Sequence, residues 1–130
     1  MVDINNRSIK GCHGMIMEKI YHKVCELALN ADVFVREAGY TDRKLQSQII
    51  FKVHGVCDLA IWQTRQAVFE EIAPSRVKKL VAGSGKASKQ EVADALAQFV
   101  GAQEYACDDQ SDAVAVGVSW LLLNGWKYKM

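Results

Sequence analysis

The sequence predicts an α/β fold of one domain over residues 1–130, and three observations carry that prediction. Apolar residues recur at helical spacing in several stretches. Two short segments between them, Asp32 to Glu37 and Gln66 to Ala73, read as strands. No internal repeat or low-complexity linker divides the chain. Half of the 130 residues are hydrophobic and only one is proline, so the chain can bury a core and is neither disordered nor fibrous.

From Gly14 to Asn30, Met15, Ile16, Ile20, Val24, Leu27 and Ala28 keep the period of an amphipathic helix, which Asn30 and Asp32 end. Asp32 to Glu37 then presents Val33, Phe34 and Val35 in succession, the pattern of a buried strand, and delivers Glu37 at its C-terminal end, where α/β folds gather functional groups. Thr41 can cap a long helix to about Trp62, with Leu45, Ile49, Val53, Val56, Leu59 and Ala60 on its apolar face and Gly55 allowing close packing. After the second strand, Pro74 opens a short helix at its tolerated first position. Val77, Leu80 and Val81 face inward, Lys78 and Lys79 outward, and Gly83 and Gly85 break it. Ser88 and Glu91 have capping-box spacing for a helix through about Val100. A loop from Gly101 to Asp108 precedes the last helix, whose apolar run extends from Ala113 to Leu123.

The net charge of +1 conceals a segregation. Arg76, Lys78, Lys79, Lys86 and Lys89 form a basic stretch without an acid, whereas Gln90 to Trp126 holds six acids and neither lysine nor arginine. Among those acids, Asp108, Asp109 and Asp112 crowd the start of the last helix. Asp109 and Asp112 stand at i and i+3 on one face, near a helix N-terminus whose partial positive charge favours their ionised form. Such a pair suits a hard cation, and magnesium commonly completes its shell with water and substrate phosphate. A basic strip beside an acidic cluster is what a metal-dependent enzyme acting on a polyanion needs; the competing reading is two ordinary solvated faces.

Other readings are weaker. Cys12, Cys25, Cys57 and Cys107 are dispersed with no Cys-x-x-Cys pair, which points to a reduced, cytoplasmic protein. Cys12, His13, His22 and Cys25 offer soft ligands, but with looser spacing than zinc motifs, and Cys25 suits an apolar helix face. His54 reads as a packed or surface residue. The longest apolar run is too short to span a bilayer, so no membrane partner is expected. Gly83-Ser84-Gly85-Lys86-Ala87-Ser88 lacks the preceding glycine and following hydroxyl of a nucleotide-binding loop, leaving a phosphate-facing turn or a plain connection.

Glu37 at a strand end, Pro74-x-x-Val77-Lys78-Lys79, Gly83-x-Gly85-x-Ala87-x-Lys89-x-x-Val92 and Asp109-x-x-Asp112-Ala113 occur in the order and approximate spacing of RuvC-type Holliday-junction resolvases. The chain resembles that family from about Gly14 to Leu123. The resemblance implies a ribonuclease-H-like fold with a reduced or N-terminally truncated sheet flanked by helices. It also implies a homodimer acting on branched DNA, the four-way junction, and Mg²⁺ or Mn²⁺ held by carboxylates. Glu37, Asp109 and Asp112 would then hold metal, with two ions roughly 4 Å apart activating water and stabilising the leaving oxygen. Lys89 would join them in catalysis. Lys78 and Lys89 would face phosphates, with Arg76, Lys79 and Lys86 completing a nucleic-acid surface. Asp108 would be an outer-shell acid or a surface residue. The subunit contact would use the helix from about Thr41 to Trp62.

The front of the chain departs from the family pattern. Members begin with a strand carrying a first catalytic aspartate and two further strands, whereas only about ten residues precede Gly11 here. Asp3 is the sole candidate for that acid, although its closeness to the first helix better suits the end of a third strand. A fragment starting at an internal methionine and a natural short form are both consistent with this. Either would leave helix surface uncovered and favour rearranged packing or self-association. The expected function is therefore a metal-dependent endonuclease resolving four-way junctions, or a fragment of one; the alternative is a non-catalytic protein that binds branched DNA. An unrelated small α/β domain with fortuitous acids is the third reading.

Overall fold

A computed structural model of the chain describes residues 9–39 and 45–127, with side chains over 13–39 and 48–127. Asp3 and Thr41, expected as a possible ligand and a helix cap, lie outside the described residues. The chain groups into two compact units: the first comprises 1–34 and 39–69, the second 35–38 and 70–130.

The first unit is a helix pair. The apolar period around Met15 to Ala28 becomes α1, Ile9–Ala28, which begins earlier than its apolar pattern, and the second long stretch becomes α2, Leu45–Arg65. The two helices pack against each other, and Ala28, Ala60 and Ile61 are their buried apolar residues. Polar groups fasten the same seam. Tyr21 Oη donates to Gln63 Oε1, and Arg65 Nη1 reaches the Leu29 carbonyl at 3.3 Å. Thr64 Oγ1 returns 2.7 Å to the Ala60 carbonyl, an i−4 bond that satisfies the hydroxyl within the helix. Gln66, at φ 49°, closes α2 in the left-handed region, its N–H bonded to the Trp62 carbonyl at 2.9 Å. Gly55 does not serve close packing, since a Cβ built there would meet open space. Phe34 and Phe69 meet edge to face at 6.1 Å. His54 lies against Phe51, ring centroids 6.1 Å apart, as a packed histidine would.

The second unit holds a small parallel sheet and its helices. The predicted strands are present but short: β1 is Val35–Glu37 and β2 is Glu70–Ile72, paired with Val35 opposite Glu70, Arg36 opposite Glu71 and Glu37 opposite Ile72. The Ala38 N–H extends the ladder to the Ile72 carbonyl at 2.8 Å. Beyond these residues the segments 32–34 and 66–69 have no ladder partner among the described residues, so backbone pairing stops there. Arg36 Nη2 and Glu71 Oε1 meet across the strands at 3.1 Å.

Pro74 opens α3, Pro74–Ala82, which buries Val77 and Val81 and ends at Gly83 in the left-handed region, φ 85°. Gly85 lies close to α3: a Cβ there would sit 3.3 Å from the Ser75 carbonyl oxygen, a tight contact that the backbone would have to ease by a few tenths of an ångström. The capping box forms as predicted, with Glu91 N–H bonded to Ser88 Oγ at 3.1 Å and Ser88 N–H to Glu91 Oε1 at 3.3 Å. The helix it starts is divided, α4 over Lys89–Ala95 and α5 over Ala97–Val100, around a fully buried Leu96. The last helix, α6, is Asp108–Leu123. Ala115, Val116 and Val118 of α6 join Ile72, Val77, Val81, Ala87, Val92 and Leu96 in one core. Each such side chain removed from water contributes about 1.5–3 kcal/mol for the larger aliphatics. Two serines sit on the buried side of α6 and satisfy their hydroxyls locally, Ser111 on the Asp108 carbonyl at 2.9 Å and Ser119 on the Ala115 carbonyl at 2.8 Å. Trp120 Nε1 donates to Glu70, tying the helix to β2.

Candidate functional site

The site lies in the second unit, where the end of β1 meets α6. Parallel pairing with β2 carries β1 only as far as Glu37, so this carboxylate is delivered at the strand's C-terminal end. Asp112 projects from the second turn of α6, whose register is held by Val116 and Ala115 in the core. The two acids line one pocket of about 260 Å³ together with Val35, Arg36, Ala113 and Val116. Glu37 is an exposed residue as a whole. Even so, protein atoms around its carboxyl displace water and push its pKa up; the Asp112 charge raises it further, while Lys78 and Lys89 pull it down.

Both lysines come from predicted positions. Lys89 is the first residue of α4, and its Nζ lies 3.8 Å from Asp112 Oδ2. Lys78, expected to face outward on α3, is instead half-buried, and its charge acts on Glu37. Arg76, Lys79 and Lys86 are exposed and stand outside the pocket lining. The turn that carries Lys86 is shaped by its own N–H, bonded to Ser84 Oγ at 3.2 Å.

Asp109 is exposed, one helical turn before Asp112, and outside the pocket lining. Asp108 is also exposed; its carbonyl, not its carboxylate, is engaged, by Ser111. Among the described residues no three His, Cys, Asp or Glu side chains converge closely enough to cage an ion. Glu37 and Asp112 nevertheless form a two-carboxylate donor set of the hard type that magnesium or manganese takes, with room beside it for water and phosphate oxygen. Among the described residues no cluster of soft ligands competes, and the Cys12 side chain lies outside them. The Cys25 thiol sits 3.9 Å from the Ala60 carbonyl, and His22 pairs with Glu18 at 3.8 Å.

Sequence reasoning named Lys89 and Asp112 separately but missed their mutual contact. It also missed the Trp120 to Glu70 bond that holds α6 on the sheet. Neither pair has a local spacing signal, because each joins elements far apart in the chain.

An α/β unit in which two carboxylates line one pocket, with Lys89 beside Asp112 and Lys78 acting on Glu37, has donors suited to a cation and a phosphate. Comparison with known proteins gives that arrangement a family. The family described as crossover junction endodeoxyribonuclease RuvC matches residues 11–120. A crossover junction endodeoxyribonuclease RuvC from Cytophaga hutchinsonii is 31% identical over 110 residues, covering 82% of this chain and 54% of that relative. The chain belongs to the RuvC family, and it spans about half the length of the curated relative it matches. No helix among the described residues is long and apolar enough to cross a membrane.

Proposed function

We propose that this chain is a metal-dependent, structure-selective DNA endonuclease that resolves four-way junctions by phosphodiester hydrolysis. In this reading residues 1–130 form a single nuclease domain of ribonuclease-H-like type with a reduced sheet. The observation that carries the reading is that Glu37 and Asp112 line one pocket, with Lys89 acting on both acids and Lys78 on Glu37. Family membership supports the substrate class.

In this reading Glu37 and Asp112 hold Mg²⁺ or Mn²⁺, and Asp109 contributes from the turn before. The ion, when bound, supplies an acidified water and neutralises charge on the leaving oxygen. The protein's own part is positioning. Lys89 and Lys78 orient the phosphate beside the acids, and Arg76, Lys79 and Lys86 bind flanking backbone as a basic surface whose strength falls with salt. A homodimer, each subunit cutting one strand, would join through α2.

A second reading, a branched-DNA-binding protein without nuclease activity, is favoured by one observation: Asp109 stands outside the pocket and no third ligand converges among the described residues. Cleavage of a labelled four-way junction separates the two. The nuclease reading expects symmetric nicking with Mg²⁺ or Mn²⁺, abolished by Asp112→Asn while a gel shift in EDTA persists. Retained binding with no nicking by the unaltered protein would leave the second reading, and no binding would remove both.

A further inference from the structure

Lys89 starts α4 and Asp112 lies on α6, with α5 and a loop between these elements, yet the ammonium lies 3.8 Å from Asp112 Oδ2. Their side chains are 70% and 41% exposed, so charge rather than burial keeps them together. The backbone of Lys89 is fixed, because the capping box of Ser88 and Glu91 sets the first turn of α4. Its four-carbon stem is not, and a lysine ammonium is a mobile point charge. Lys78 acts on Glu37 from α3. Lys78 and Lys89 thus bring positive charge to Glu37 and Asp112, while Arg36, which lines the same pocket, is paired with Glu71. A divalent cation entering between the carboxylates adds two positive charges to a cluster that already holds two ammoniums, and this repulsion favours release of the more exposed one. The ammonium so released lacks a counter-charge, which a phosphodiester oxygen supplies.

We propose that Lys89 stands in for the metal on Asp112 in the metal-free protein and transfers to a nucleic-acid phosphate when the ion binds, so that metal and DNA each promote uptake of the other. The proposal deepens the metal-dependent reading above and rests on it. Lys89 is in this respect a positioning residue with two successive partners. Linkage makes the effect reciprocal: whatever factor the ion contributes to DNA affinity, DNA returns to ion affinity.

Mg²⁺ or Mn²⁺ alone, titrated calorimetrically into the full chain without DNA, tests this. Lys89→Gln removes the competitor and is expected to bind the ion about two- to five-fold more tightly, the range an exposed ion pair is worth. Lys89→Arg, which keeps the charge, and Lys79→Gln, which removes a neighbouring charge outside the pocket, are expected to match the unaltered protein. Unchanged affinity in Lys89→Gln, with the unaltered protein binding normally, overturns the stand-in role and leaves the metal site intact. An equal gain in Lys79→Gln reduces the effect to general surface charge and overturns it likewise. Absence of ion binding in every protein sinks the metal-dependent reading together with the proposal.

Discussion

Glu37 holds its charge against two opposing influences, the loss of water around its carboxyl and the nearby Asp112, only partly offset by Lys78 and Lys89. Its pKa in the folded chain is therefore above the ordinary carboxylate value, and ionising it costs folding free energy. The stability it contributes is fully present below the ordinary glutamate pKa and is lost as pH rises through the raised folded value. Thermal melts in metal-free buffer between about pH 4 and 7 should show Glu37→Gln gaining on the unaltered protein as pH increases, with the two converging in acid. Added Mg²⁺ should reverse the order near neutrality, raising the melting temperature of the unaltered protein and leaving the variant unmoved. A variant that is less stable than the unaltered protein in metal-free buffer at neutral pH would mean that Glu37 is not strained by its neighbours. A site that is uncomfortable when empty is one that binding relieves.

At the level of elements, the start of α4 does two things at once. Ser88 and Glu91 satisfy two backbone N–H groups that the helix would otherwise leave bare, and the same turn aims Lys89 at α6. Ser88→Ala should cost about 1 kcal/mol of stability, read as a denaturant midpoint shifted downward at unchanged slope. A stability equal to that of the unaltered chain would show that the cap is redundant. This element was legible because its signals are local: Ser88 and Glu91 three apart, Pro74 before Val77 and Val81, Gly83 after Ala82. Glu37 at a strand end was legible for the same reason. Strand lengths were not, because whether Val33 or Val68 pairs depends on a neighbouring strand rather than on its own side chain. Lys78, read as outward, is half-buried and acts on Glu37 of β1, a neighbour that no spacing within Pro74–Ala82 reveals. The placement of Asp109 outside the pocket has the same origin, since i and i+3 share a helix face without sharing a pocket.

At the scale of the whole molecule, exposed apolar side chains concentrate in the first unit. Ile16, Leu27, Ile50, Phe51, Leu59 and Trp62 all lie on α1 and α2 with 40% or more of their surface in solvent. Such a surface seeks a partner. If α2 is the subunit contact, sedimentation velocity should show dimers at micromolar concentration, and Trp62→Glu should shift the equilibrium toward monomers. A variant that sediments identically to the unaltered chain would move the contact elsewhere.

The strand that carries Glu37 lies in sequence between the two helices of the first unit, yet it pairs with a strand that follows both. During synthesis Glu37 therefore leaves the ribosome early and waits. Its ladder cannot form until Ile72 emerges, and its facing carboxylate does not exist until α6 has been translated. Chain order thus keeps the pocket from assembling in a partly made protein.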